Sequence, residues 1–304
     1  MKRVALTLAG AFALLAGIVV WRALDAPSRQ MRVEPAPPIA VNVERAAETL
    51  SAAIRFQTVS NQDPAQFDAA QFDGLRAFLE ERFPRVHHTL THEVVNDHSL
   101  LYRWKGQGDE KPIVLLAHLD VVPVEASALN NWTQPPFSGA IADGFVWGRG
   151  TLDDKSSALA ILEAVEYLLG AGFEPARTVY IAFGHDEEVS GRRGAQAMAA
   201  RLHERGVEAE FVLDEGAMLE GLVPGIAAPV AAVGIGEKGY VSVELTSTDS
   251  GGHSSVPPPH TAIGTLSAAI EKLERDQMPA SLAAVMGKGS RSSPPRCRSA
   301  IASC

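Results

Sequence analysis

Cysteine is nearly absent: the only two, Cys297 and Cys304, fall in the last eight residues. That excludes a disulfide framework and any thiolate metal site in the body of the chain, so a metal site here must be built from histidine and carboxylates. Basic residues are also in deficit, 27 Lys+Arg against 36 Asp+Glu, for a net charge of −9. A binder of phosphate backbones needs clustered Lys/Arg, so nucleic acid is excluded as a partner. There is no internal repeat. The turn Gly148-Arg-Gly150 lacks the G-x-G-x-x-G spacing and opens onto Asp153 and Asp154, which would repel phosphate; this sets aside a nucleotide-binding α/β protein. What the chain has is apolar content, 46% of 304 residues, enough for one large or two ordinary domains with a real core and too much for bulk disorder.

Lys2 and Arg3 precede an uncharged, mostly apolar run from Val4 to Trp21, closed by Arg22. Its length is at the short end for a bilayer span and long for a signal-peptide core. Trp21 and Leu24 stand where a cleavage site would need small residues, and no cysteine follows for a lipid anchor. Residues 1–24 therefore read as an uncleaved signal-anchor, with a cleaved signal peptide as the alternative. Lys2 and Arg3 favour the N-terminus inside, which places the body outside the cytoplasm: membrane-anchored, or secreted or periplasmic after cleavage. Residues 25–40, with Pro27, Pro35, Pro37 and Pro38, read as a linker.

Helical patterns follow at Val43–Phe56 and Phe67–Phe83. Ile113–Ala117, Val179–Phe183 and the shorter Phe211–Leu213 are continuous apolar runs of buried-strand type. Between them lie helical spacings, Leu159, Leu162, Val165 and Leu169 within Lys155–Leu169, and Ala195, Met198 and Leu202 within Gly194–Arg205. Strand alternating with helix predicts an α/β fold with a mostly parallel sheet over residues 41–230. From Val230 the texture changes. Val241, Val243 and Leu245 alternate with polar residues, as in a strand with one wet face, and a helix follows over about Thr261–Arg275. Residues 231–277 therefore look like the start of a smaller α+β domain. Residues 278–304, rich in Ser, Arg and Pro, read as an atypical tail, disordered or translated out of frame.

Three strand ends carry candidate ligands: His118-Leu-Asp120, Asp186-Glu187-Glu188 and Asp214-Glu215. In parallel α/β sheets the carboxyl ends of strands converge on one rim, where ligands bind. Asp153-Asp154, after the glycine turn and before the Lys155 helix, adds a fourth acidic pair. A single such group is ordinarily a helix cap or a solvated loop carboxylate. Four on one rim repel one another unless a cation sits among them. Histidine and carboxylates without thiolate suit a catalytic zinc pair, with ions ~3.5–4 Å apart sharing a carboxylate and a water. Asp153 is the expected bridge, His118 and Asp214 complete one ion, and Glu188 serves the other. Asp120 is placed to accept the second ring N–H of His118, and Glu187, free beside a ligand, is the candidate general base.

These residues carry a resemblance. His118-Leu-Asp120, Gly148-Arg-Gly-Thr-Leu-Asp153-Asp-Lys, Asp186-Glu187-Glu188-x-x-Gly191 and Asp214-Glu215-Gly216 together resemble the di-zinc aminoacylase / carboxypeptidase S metallopeptidase family. Asn131-Trp-Thr-x-Pro-Pro-Phe and the apolar N-terminus are most similar to its carboxypeptidase S and N-acyl-amino-acid hydrolase branch. The resemblance spans roughly residues 45–275. It implies the ligand and base roles just described, a cis peptide after Asp153, and cleavage of the amide next to a free carboxylate in peptides or N-acyl amino acids. Gly251-Gly-His253-Ser-Ser resembles the lid-domain motif whose histidine polarises the substrate carbonyl, commonly across a homodimer. His185, His203 and His260 read as surface residues.

The chain departs from the family after the lid's first strand and helix. The resemblance implies a returning second half that brings the last zinc-ligand histidine and the groups binding the substrate carboxylate. The second zinc site is therefore expected to be incomplete, the fold open with bare apolar faces, and the isolated chain weakly active or inactive. A non-catalytic, membrane-tethered binding or oligomerising remnant is the competing expectation.

Overall fold

The computed structural model describes residues 2–25, 34, 39–219, 230–232, 241–253, 255–256 and 258–279. Helix α1 (Lys2–Asp25) is the apolar N-terminal segment. Its Leu6–Asp25 stretch has a mean hydropathy of 1.8, is not buried by the rest of the chain, and is long and apolar enough to cross a membrane.

Two helices open the folded body. In α2 (Val43–Ile54) the Asn42 side chain caps the first turn by accepting from the Arg45 N–H, and in α3 (Ala69–Arg82) Asp68 does the same for Ala70. Phe72, Leu75 and Leu79 form the buried stripe of α3 at helical spacing. The short α4 (Pro84–Thr89) follows, starting on a proline that the first turn tolerates.

The central sheet has strands β1 (Thr91–Val95), β2 (Ser99–Trp104), β3 (Ile113–His118), β6 (Val179–Gly184) and β7 (Phe211–Leu213), in the order β1-β2-β6-β3-β7. β6 pairs with β3, and β3 with β7, in parallel; β1 with β2, and β2 with β6, are antiparallel. The sheet is therefore mixed rather than mostly parallel. The antiparallel hairpin leaves no apolar run to read: β1 is a largely exposed edge, and β2 is buried on both faces, so neither alternates cleanly. A small hairpin of β4 (Ile141–Ala142) and β5 (Phe145–Val146) lies between β3 and α5 (Lys155–Gly170), and α6 (Ala195–Glu204) follows β6.

Every residue of β6 is buried, and its alternation divides the core. Val179, Ile181 and Phe183 join Leu100, Tyr102 and Trp104 beneath α2, α3, α4 and α5, with Leu159, Leu162 and Val165 of α5 packed against them. Tyr180 and Ala182 face the other way, onto Met198 and Leu202 of α6. Each such aliphatic or aromatic burial is worth roughly 1.5–3 kcal/mol, and together they cover both faces of the sheet. In the parallel half His118 stands opposite Gly184, and Leu115 opposite Leu213, so the segments after β3, β6 and β7 leave the sheet from one rim.

Strands β8 (Ala217–Leu219) and β9 (Val230–Ala232) pair with each other. The strand expected over Val241, Val243 and Leu245 does not form: residues 241–250 carry no regular structure and all three side chains are exposed or half-exposed. A polar–apolar alternation makes a strand only where a neighbouring strand takes its hydrogen bonds, and among the described residues none pairs with this segment. Helix α7 (Ala262–Arg275) is present, capped by the Thr261 hydroxyl, which accepts from the Gly264 N–H. The tail from 280 onward lies outside the described residues.

Candidate metal centre

His118 ends β3 and is almost fully buried. Its Nδ1 faces only acceptors, the Asp120 carbonyl at 3.0 Å and Asp120 Oδ1 at 3.3 Å, so that nitrogen carries the proton. Nε2 points into the rim, 2.9 Å from Asp153 Oδ1, to which it donates when protonated, and 3.9 Å from both Glu187 Oε2 and Glu215 Oε2. Burial alone would lower the pKa of this imidazole. The hydrogen bond and charge of Asp120, followed by the Asp153 hydrogen bond and the Glu187 charge, outweigh it and push the pKa up to about 10.

Asp120 is wholly buried and fully satisfied. Oδ1 accepts from the Glu187 backbone N–H at 3.1 Å; Oδ2 accepts from the Glu188 N–H at 3.1 Å and from the Ser60 hydroxyl at 2.6 Å. Burial opposes its ionisation, but the His118 and Ser60 hydrogen bonds hold its carboxyl below the usual range. One carboxylate thereby fixes both the imidazole and the start of the 3-10 turn Glu187–Val189.

Asp153 leads into α5 through a cis peptide to Asp154, as the resemblance implies. Asp154 is buried, with Oδ2 3.4 Å from the His118 backbone nitrogen, and burial raises its carboxyl. Lys155 beside it is buried as well. Its ammonium, pushed down to about 7 by burial, donates to the Ala53 carbonyl at 3.1 Å and the Phe56 carbonyl at 2.7 Å, tying the end of α2 to the start of α5.

Two groups of donor atoms each lie within 4.8 Å of one another: His118, Asp153 and Glu188, and His118, Glu187 and Glu215. Burial raises the carboxyls of Glu187 and Glu188, with nearby carboxylates adding to it, and lifts Glu215 to about 7. Carboxylate oxygens gathered around one imidazole nitrogen are the donor set a divalent metal takes up. The residues present fit such an ion.

Four of the expected site residues, His118, Asp120, Asp153 and Glu188, meet here, with Glu187 beside them. Asp214 does not join either group; its Oδ1 instead accepts from the Glu215 N–H at 2.9 Å, and Glu215 is the member of that pair facing His118. Adjacent residues at a strand end point to opposite sides, so composition gave no way to choose between them. His253 is exposed and engages Ser255, whose hydroxyl lies 2.8 Å from its Nδ1. His203 and His260 are exposed as expected, but His185 is buried, its Nδ1 2.6 Å from the Ser99 hydroxyl and its ring edge-on to Phe72. The residue directly after a strand buried on both faces is still inside.

A family profile described as peptidase family M20/M25/M40 matches residues 114–290, more than half of the chain and the whole rim just described. The chain belongs to that family. It is similar to two kinds of relative. To the probable carboxypeptidase S-like 2 of Dictyostelium discoideum it is 45% identical over 236 residues, 76% of this chain and 45% of the relative. To the N-fatty-acyl-amino acid synthase/hydrolase PM20D1 of Xenopus tropicalis it is 45% identical over 239 residues, again 76% and 45%. Carboxypeptidase S of Saccharomyces cerevisiae is 43% identical over 242 residues, 75% of this chain and 41% of that one. The M20 chain thus spans about half the length of the curated relatives it matches.

Proposed function

We propose that this M20 chain carries the metal-binding half of a zinc-dependent hydrolase acting on the amide next to a free amino-acid carboxylate, in small peptides or N-acyl amino acids. The observation that carries the reading is the meeting of His118, Asp153 and Glu188 within 4.8 Å, with Glu187 alongside. Carboxypeptidase S and the N-fatty-acyl-amino acid hydrolases among its relatives supply the substrate class.

His118 and Asp153, with Asp214 by the resemblance, would hold one zinc ion, and Asp153 and Glu188 the other. The Asp214-Glu215 pair supplies a further carboxylate, Asp214 by resemblance and Glu215 by its place beside His118. Zinc held there supplies Lewis acidity toward the scissile carbonyl and toward water. Asp120 keeps the proton of His118 on Nδ1 and its Nε2 free to ligate. Glu187 is half-exposed at the rim, and its carboxyl sits above the usual range, as suits a general base near neutral pH. It takes the proton of the attacking water as the oxygen–carbon bond forms, then delivers it to the departing nitrogen as the carbon–nitrogen bond breaks. His253, on the lid segment, donates to the developing oxyanion after lid closure, across a homodimer. The Leu6–Asp25 helix anchors the chain, with the catalytic part outside the cytoplasm.

The test uses the metal-loaded full chain with a dipeptide and an N-acyl amino acid as substrates. Glu187→Gln should lower kcat at least ~100-fold while leaving zinc stoichiometry unchanged. A Glu187→Gln chain that hydrolyses at the native rate, or a native chain that neither binds zinc nor hydrolyses either substrate, overturns the proposal.

A further inference from the structure

We infer that Ser60 is a positioning residue of the metal centre: by clamping Asp120, its hydroxyl holds the His118 imidazole in the orientation that binds metal. The inference rests on the metallopeptidase reading above and adds a residue that reading does not use.

Residues 58–60 run beside the turn that follows β3. Val59 bridges Val121 in parallel, the Ser60 N–H donates to the Val121 carbonyl at 3.1 Å, and the Val121 N–H donates to the Thr58 carbonyl at 2.9 Å. The Thr58 hydroxyl reaches the Leu119 carbonyl at 2.6 Å. A segment about sixty residues upstream is thereby fastened along the stretch that carries His118 and Asp120. At its end the buried Ser60 places Oγ 2.6 Å from Asp120 Oδ2 and 3.2 Å from the His185 carbonyl. A hydroxyl has one proton. The short contact to a buried carboxylate, which can only accept, takes it.

The consequence lies in what fixes the Asp120 plane. Oδ1 is held by the Glu187 N–H and faces His118 Nδ1; Oδ2 is held by the Glu188 N–H and Ser60. Both backbone donors belong to one turn, the one that also carries the base Glu187 and the ligand Glu188. Ser60 is the donor from outside that turn, so it ties the imidazole's orientation to the β3 side of the fold whatever the Glu187–Val189 turn does. A partner that orients a metal-binding imidazole through a carboxylate is typically worth ~10–100-fold in metal affinity.

Zinc affinity of the metal-stripped full chain in detergent, by competition with a chromophoric chelator, tests this without recourse to activity. Ser60→Ala should bind zinc ~10–100-fold more weakly with an unchanged melting temperature of the metal-free form, and Ser60→Thr, which keeps the hydroxyl, should bind within about threefold of the native chain. Because Ser60 acts through Asp120, adding Ser60→Ala to Asp120→Ala should change affinity less than about twofold. Native affinity in Ser60→Ala overturns the inference, as do full additivity with Asp120→Ala and a Ser60→Ala chain that no longer melts cooperatively, since each assigns Ser60 to the fold alone. His118→Ala separates the two claims: if it binds zinc as the native chain does, the metal-centre reading itself fails.

Discussion

His118 Nε2 and Asp153 Oδ1 face each other across 2.9 Å, one from the end of β3 and the other from the loop that enters α5. A buried imidazolium donating from Nε2 to a largely exposed carboxylate is an ion pair without metal, and a ligand pair once a cation displaces that proton. Zinc at about one hundred times its dissociation constant should stabilise the native chain by about 2.7 kcal/mol. For a body of this size that is a rise of roughly 5–10 °C in melting temperature, reversed by a chelator. In Asp153→Ala most of that rise should vanish while the metal-free melting temperature stays close to native, because the side chain is largely exposed. An equal zinc-induced rise in both chains would remove Asp153 from the ligand set.

Gly150 has φ +80°, and a Cβ placed on it would run into the Val121 side chain. Val121 follows Asp120, and Asp153 stands three residues beyond Gly150, so this close approach brings together the segments that carry His118 and Asp153. Gly150→Ala should cost about 2–3 kcal/mol in urea unfolding and weaken zinc binding at least ~10-fold. Gly172, with φ +72° and open space around it, is the control: Gly172→Ala should cost about 1 kcal/mol and leave zinc affinity alone. Equal costs at the two positions would mean that the contact with Val121 does not matter.

The parallel half of the fold is written in the sequence because its strands are continuous apolar runs, β6 buried throughout and β7 apolar although largely exposed. Val179–Gly184 and Phe211–Leu213 emerge as apolar runs, and α5 begins at Lys155, where its spacing begins. The antiparallel half is not, since β1 is a polar edge and β2 shows no alternation. The same logic divides the site. His118, Asp153, Glu187 and Glu188 are visible because strand ends and a glycine turn mark the rim. Ser60 has no such marker: it sits between Val59 and Asn61 in a segment without regular structure, and its role arises from a contact sixty residues away. Which of Asp214 and Glu215 faces His118 is likewise a matter of which way a strand end twists.

Tyr102, buried in β2, offers a test of the core beside the rim. His87 Nδ1 lies 2.8 Å from the Phe83 carbonyl, which can only accept, so that nitrogen bears the proton and Nε2 accepts from the Tyr102 hydroxyl at 3.0 Å. Burial lowers the pKa of His87, in keeping with a neutral ring. Tyr102→Phe leaves that nitrogen unpaired and should cost about 1–2 kcal/mol in urea unfolding. A Tyr102→Phe/His87→Phe chain should recover part of the loss, and no recovery would show that the hydroxyl serves something other than His87.

Glu93 on β1 meets two arginines of and beside α6, with Arg201 Nη1 at 3.2 Å and Arg205 Nη2 at 3.0 Å from Oε2. The Arg205 hydrogen bond, ahead of the charges of both arginines, holds the Glu93 carboxyl below its usual value despite some burial. A carboxyl depressed in the folded state binds fewer protons there than in the unfolded chain. The pair therefore adds stability above the unfolded glutamate's pKa of ~4.3 and loses it as pH falls through the lower folded value. All three side chains are about a third to half exposed, so solvent screening limits the gain to about 0.5–1 kcal/mol. Glu93→Gln should thus be less stable than the native chain by that amount at pH 7 in chelator, with the gap closing below about pH 4 and shrinking in high salt. A gap that persists unchanged in strong acid would assign the loss to packing of β1 on α6 instead of to charge.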